Sequence, residues 1–198
     1  ILDFNAADRQ VTCEAGVVTE QLQQFAESQG LFYPVDFASS GSSQLGGNVA
    51  TNAGGIKVIR YGMTRSWVTG MKVVTGRGDL LDLNRGLTKN ATGYDFRHLF
   101  IGSEGTLGII VELTMALSVP PQDPAVLIMG VEDMTKTMPV LEAFQNKVSI
   151  TAFEFFSEQA LRHVIAEKKL ARPIETASKF YVLLEYEQRG KEDLEDAM

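Results

Sequence analysis

A chain of 198 residues, 44% hydrophobic, 22% charged and 9% aromatic, is long enough for one large domain or two small ones and lies far from the composition of a disordered chain. Its formal net charge of -7, with no run of Lys or Arg, excludes the clustered basic surface that nucleic-acid partners require. No apolar run reaches the about 18 residues of a membrane span, and a lone cysteine, Cys13, excludes an internal disulfide and any multi-cysteine metal cluster.

The chain opens on "ILDFNAADRQ", without an initiator methionine or a basic leader, and closes on "GKEDLEDAM" in helix-forming sequence, so a piece of a longer protein is expected. "QVTCEAGV" reads as a strand, with Cys13 as a buried apolar filler rather than a nucleophile. Thr19 is placed to cap a short amphipathic helix, "EQLQQFAESQ", whose inner face carries Leu22, Phe25 and Ala26 and whose terminator is Gly30. Residues 31 to 55 then run without periodicity, the mark of a functional loop. At its end, "GGNVATNAGG" holds four glycines and no side chain larger than valine or threonine. Glycine is costly in regular helix or strand, so a loop is expected here, with something flat or anionic against its backbone.

Downstream, "WVTGMKVVTGRGDLLDL" predicts a hairpin of Met71 to Thr75 with Leu80 to Leu83. A short helix around Asp95 to Phe100, a glycine-punctuated turn and a strand from Ile109 to Leu117 follow. "SVPPQDP", residues 118 to 124, stiffens the chain with three prolines and reads as a linker. Beyond it the pattern is β-α-β-α-β: strands in "AVLIMGV", "SITAFEFF" and "KFYVLLEYE", and helices in "PVLEAFQNK" and from Ser157 to Lys169. "AFEFF" and "FYVLLEYE" read as core by alternation, and the charges of "RGKEDLEDA" as a solvated helix face. The fold class is α+β.

The common catalytic signatures are absent: no "GxxxxGK[ST]", no "GxSxG" and no "HExxH". "GSEGTLG" is not the dinucleotide fingerprint "GxGxxG", and a strand follows it rather than a helix. The two histidines, His98 and His163, stand far apart, so neither is assigned to catalysis and no metal ligand is assigned. Three small-residue loops remain: "SSGSSQLGGNVATNAGG", "KNATGYD" and "IGSEGTLGI". Glycines there leave N–H groups free to converge on the oxygens of a large polar ligand.

Taken in order, "FYPVDF", "GGNVATNAGG", "RYG", "KNATGYD" and "FIGSEGTLGII" resemble the flavoproteins of the vanillyl-alcohol oxidase and para-cresol methylhydroxylase superfamily. The resemblance is to the branch of D-lactate dehydrogenase, the glycolate oxidase flavin subunit and, most of all, D-2-hydroxyglutarate dehydrogenase. It implies that residues 1–119 are the second subdomain of a PCMH-type FAD-binding domain and that residues 120–198 begin an antiparallel-sheet substrate domain. It implies FAD as cofactor, with Pro34, Gly46, Gly47, Asn48, Thr51, Asn52, Gly54, Gly55, Glu104, Gly105, Gly108 and Ile109 lying near it.

The resemblance further implies hydride transfer from C2 of a D-2-hydroxy acid to flavin N5. The substrate would be D-2-hydroxyglutarate in the first place, D-lactate or glycolate otherwise. Reoxidation would fall to an electron-transfer flavoprotein or a quinone, and the setting would be the cytoplasm or the mitochondrial matrix. In such proteins the subdomain that holds the FAD pyrophosphate would precede Ile1, and the histidine-rich segment with the metal ligands and the base would follow Met198, so no catalytic residue is assigned here. Without about three charge-assisted bonds to the pyrophosphate, at roughly 1.5–3 kcal/mol each, FAD is expected to bind this chain weakly or not at all, and turnover is not expected. The alternative is a non-catalytic module whose flavin site is completed by a partner chain.

Overall fold

A computed structural model describes residues 1–188 and divides the chain into two compact units, Ile1–Pro120 and Pro121–Met198. The charged stretch "RGKEDLEDA" lies outside the described residues.

The first unit is built on an antiparallel five-stranded sheet in the order β1-β2-β5-β3-β4, from β1 (Asp3–Asn5), β2 (Gln10–Glu14), β3 (Val68–Thr75), β4 (Leu80–Leu83) and β5 (Gly108–Ala116). The expected hairpin forms, with Met71 opposite Leu83 and Val74 opposite Leu80. Alternation sends one side of each strand inward. Cys13, Leu113 and Met71 stand side by side across three strands, as do Val11 and Met115 across two, and all five are buried. Cys13 is thus the apolar filler expected of it, and burial pushes its thiol up to about 12.

Helix α1 (Thr19–Ser28) buries Leu22 and Ala26 in this core, with Phe25 packed at its margin, and Gly30 follows in the left-handed region at φ 68°. Thr19 does not cap it: the cap position is Val18, whose N–H donates to Gln21 Oε1 at 3.1 Å. The Thr19 hydroxyl is buried instead, donating to the Ser43 carbonyl and accepting from Asn48 Nδ2 at 2.6 Å.

The aperiodic stretch is not all loop. Residues Leu45–Ala50 form a short helix, α2, inside the glycine-rich run. Leu45 and Val49, one turn apart, are fully buried, and burying two such side chains, at about 1.5–3 kcal/mol each, outweighs the helix cost of Gly46 and Gly47. Two short helices, α3 (Val58–Tyr61) and α4 (Arg97–Phe100), and a 3-10 turn (Thr64–Trp67) complete the unit.

The second unit is an antiparallel three-stranded sheet in the order β6-β8-β7, from β6 (Pro124–Val131), β7 (Ser149–Ser157) and β8 (Phe180–Glu187), with α5 (Thr137–Gln145) and α6 (Glu158–Lys168) in the predicted β-α-β-α-β order. Ser157 caps α6 by accepting from Ala160 N, and Lys169 ends it in the left-handed region. Phe144, Ile150, Leu184 and Tyr186 form the core under α5. The core reading holds for Tyr181, Val182, Leu184 and Tyr186 but not for Phe155, which is half exposed although its cross-strand partner Val182 is buried.

Candidate functional site

The glycine-rich run resolves into positions with opposite reasons for being glycine. A Cβ at Gly46 would lie 2.7 Å from the Cβ of Ala15, and one at Gly55 would lie 2.1 Å from the Asp36 carbonyl oxygen. Both glycines therefore let the chain pass close to itself. Gly54 is partly of this kind, with Val58 Cγ2 at 3.3 Å. Gly47 is not: an added Cβ there meets no protein atom within 4 Å.

Opposite α2 stands the turn 102–108. Gly102 N–H donates to Val49 O at 3.0 Å and Glu104 N–H to Ala50 O at 2.8 Å, so the last carbonyls of α2 take their hydrogen bonds from this turn. Glu104 and Gly105 both sit in the left-handed region, at φ 52° and 76°, and a Cβ at Gly105 would again meet nothing. Gly108 opens β5 where Val73 Cγ1 and Val74 O leave no room for a Cβ, at 2.7 and 2.8 Å.

Between the two segments runs a groove of about 300 Å³ lined by Gly46, Gly47, Gly105, Gly108 and Ile109, five of the twelve predicted positions. Ile109 is 69% exposed, an apolar side chain at the mouth of a sheet with nothing of this unit over it. Ala15, Gly16, Gln44, Ala50 and Ile110 also line the groove, and sequence reading missed them. The small pair after β2, "EAG", was the available signal, since a strand ending in Ala-Gly invites close approach.

The other predicted positions lie elsewhere. Pro34 is buried between Tyr33 and Val35. Asn48 turns its amide inward to Thr19 and Ser43. Thr51 donates back to the Gly47 carbonyl at 3.0 Å, and Asn52, at φ 50°, accepts from Arg65 N–H at 3.0 Å. Gly54 faces the side chains of Val58 and Met63, Gly55 faces the Asp36 backbone, and the Glu104 side chain is exposed.

Polar clusters elsewhere are internally satisfied. In the second unit Glu158 accepts from Arg172, Tyr181 and Arg162, which hold its carboxyl down at about 2, beside a concavity of about 640 Å³. In the first, Asp95 is held below the usual carboxylate range by the Arg97 hydrogen bonds above all. His98 lies against it, with Nε2 3.3 Å from Asp95 Oδ2. Among the described residues no three His, Cys, Asp or Glu side chains gather as metal ligands, and no helix is long and apolar enough to cross a membrane.

An α+β unit whose glycine-lined groove lies between a short helix and the start of its central strand, β5, offers backbone that a flat ligand can approach closely. Residues 1–84 match the family described as FAD binding domain. Over its full 198 residues the chain is 61% identical to D-2-hydroxyglutarate dehydrogenase of Stutzerimonas stutzeri (strain A1501), covering 100% of this chain and 43% of that protein. It is 53% identical over 185 residues to that of Xanthomonas citri pv. viticola, covering 93% and 39%, and 38% identical over 188 residues to the mitochondrial enzyme of Bos taurus, covering 93% and 34%. Among solved structures it is similar to alkyldihydroxyacetonephosphate synthase, with a TM-score of 0.76 at 22% identity, covering 100% of this chain and 38% of that one, which shows the fold.

Residues 1–84 belong to the FAD binding domain family, whose cofactor is FAD, and over its whole length the chain is a relative of the D-2-hydroxyglutarate dehydrogenases. It spans about two fifths of the length of the curated relatives it matches.

Proposed function

We propose that the groove between α2 and the 102–108 turn receives part of FAD in an enzyme that oxidises a D-2-hydroxy acid, D-2-hydroxyglutarate in the first place. The observation that carries this reading is Gly47. The backbone there is helical, where alanine is more favourable than glycine by up to about 1 kcal/mol, and an added Cβ would touch nothing. The protein's own packing gives no reason for glycine, whereas a ligand lying on the backbone does.

Gly105 offers the same open approach from the facing turn, and Ile109 presents apolar surface that a flat ring would cover, worth up to about 1.5–3 kcal/mol if burial were complete. Gly46 and Gly108 keep the floor low by letting α2 and β5 sit tightly on their neighbours. The residues present therefore fit the flat part of the cofactor. Bound there, FAD supplies the acceptor for the two electrons that leave the hydroxyl-bearing carbon of the substrate. The chain's own part is to bind and orient: glycine backbone on one wall, an exposed isoleucine on the other, and water excluded between them.

On this reading residues 1–119 belong to the FAD-binding domain and residues 120–198 begin the substrate domain. An electron-transfer flavoprotein or a quinone takes the electrons onward, in the cytoplasm or, as the names of the eukaryotic relatives record for those proteins, in mitochondria. The test is a titration of the purified chain with FAD, followed by flavin fluorescence and by the absorption bands between about 350 and 500 nm. Saturable binding at tens of micromolar or weaker is expected. No spectral change at millimolar FAD would refute the reading.

A further inference from the structure

Arg65 has a role that neither the motifs nor the family match assigns. It sits in the 3-10 turn Thr64–Trp67, outside both walls of the groove, yet it is bonded to the segments that adjoin both. Its backbone N–H donates to Asn52 Oδ1 at 3.0 Å, at the end of the segment that carries α2. Its guanidinium donates to the Ile101 carbonyl at 2.7 Å, to the His98 carbonyl at 3.3 Å and to His98 Nδ1 at 2.8 Å, directly before the turn that begins at Gly102. Gly102 is packed into the same junction, where a Cβ would meet Asn52 Cβ at 3.4 Å and Arg65 Nη2 at 3.5 Å.

The donor chemistry fixes the order of this network. Arginine has no lone pair, so His98 Nδ1 must accept from it, and the imidazole proton then lies on Nε2, which faces Asp95 Oδ2 at 3.3 Å. Asp95 in turn is clamped by Arg97, whose Nη1 donates to the Val68 carbonyl at 2.6 Å on β3. A continuous path runs from the sheet through Arg97, Asp95, His98 and Arg65 to Asn52. Lysine, whose three donors all radiate from one nitrogen, cannot reproduce the planar two-nitrogen fork that serves Ile101 and both atoms of His98.

We propose that Arg65 is the positioning residue of the groove: it holds the 102–105 turn at the distance from α2 that FAD requires. The proposal rests on the flavin reading of the groove, and two measurements on the whole chain keep the two separable. The first needs no flavin. In Arg65→Ala and Arg65→Lys, amide hydrogen exchange at Gly102 and Glu104 should quicken at least tenfold, while Leu113 and Met115 in the sheet stay protected. Unchanged exchange at Gly102 and Glu104 would overturn the proposal.

The second is the FAD dissociation constant at a temperature where melting curves show every variant folded. It should rise tenfold or more in both variants, with the melting temperature nearly unmoved, and ethylguanidinium should restore affinity to Arg65→Ala but not to Arg65→Lys. A merely structural role would lower the melting temperature and leave affinity alone, and that result would overturn the proposal. Failure of the unsubstituted chain to bind FAD would instead sink the flavin reading, and the exchange result alone would then confirm or overturn Arg65 as the residue that sets the turn.

Discussion

A Cβ placed on Gly46 falls 2.7 Å from the Cβ of Ala15, closer than two side chains ever pack. The helix α2 is tied to that same residue, since Gly46 N–H donates to the Ala15 carbonyl at 2.8 Å. Gly46→Ala therefore has to push the helix off the end of β2. A loss of about 1–3 kcal/mol is expected, seen as a melting temperature lower by roughly 2–4 °C per kcal/mol. A variant that melts with the parent would show that the contact is not tight.

Cys13 should be chemically silent in the folded chain. It is fully buried, and its thiol is pushed from 9.0 to about 12, chiefly by burial, so the thiolate fraction at pH 8 is about a thousandfold below that of an ordinary cysteine. A thiol reagent should label it only as fast as the unit opens, and at once in denaturant. Prompt native labelling would contradict the burial.

The second unit should weaken in acid within a defined window. Glu158 falls from its ordinary value of 4.5 to about 2, held first by Arg172, then by Tyr181 and Arg162. A carboxyl whose pKa is lower in the folded state binds fewer protons there than in the unfolded state. Its stabilisation is therefore complete above about 4.5 and is lost as pH falls toward 2. Glu158→Gln should flatten the acid-unfolding slope of the second unit across that window. The signal of Trp67, the single tryptophan and a residue of the first unit, should not respond. An unchanged slope in the second unit would contradict the assignment.

Periodicity carried most of the architecture. In β5 the alternation holds from Glu112 to Ala116, with Leu113 and Met115 buried between partly exposed neighbours, in β8 it holds from Leu183 to Glu187, and α1 shows its buried stripe at Leu22 and Ala26. The helix α2 escaped because glycine in four of ten positions mimics loop composition, although Leu45 and Val49 stand at helical spacing. Thr19 has the right residue type for a cap, but tertiary hydrogen bonds to Ser43 and Asn48 claimed its hydroxyl. Among the predicted site glycines, residue type alone could not separate Gly46 and Gly55, which accommodate the chain itself, from Gly47 and Gly105, which leave space. Arg65 was invisible because its partners Asn52, His98 and Ile101 become neighbours only on folding.

The central claim, that the open face of Gly47 is where FAD lies, is tested most directly by Gly47→Leu. Fluorescence titration with FAD and a melting curve should be recorded on the parent and the variant together. Because a Cβ at this position meets no protein atom and leucine favours helix, the variant should melt no lower than the parent, yet bind FAD at least tenfold more weakly, a change of about 1.4 kcal/mol or more. Equal affinity in a folded variant would contradict the account.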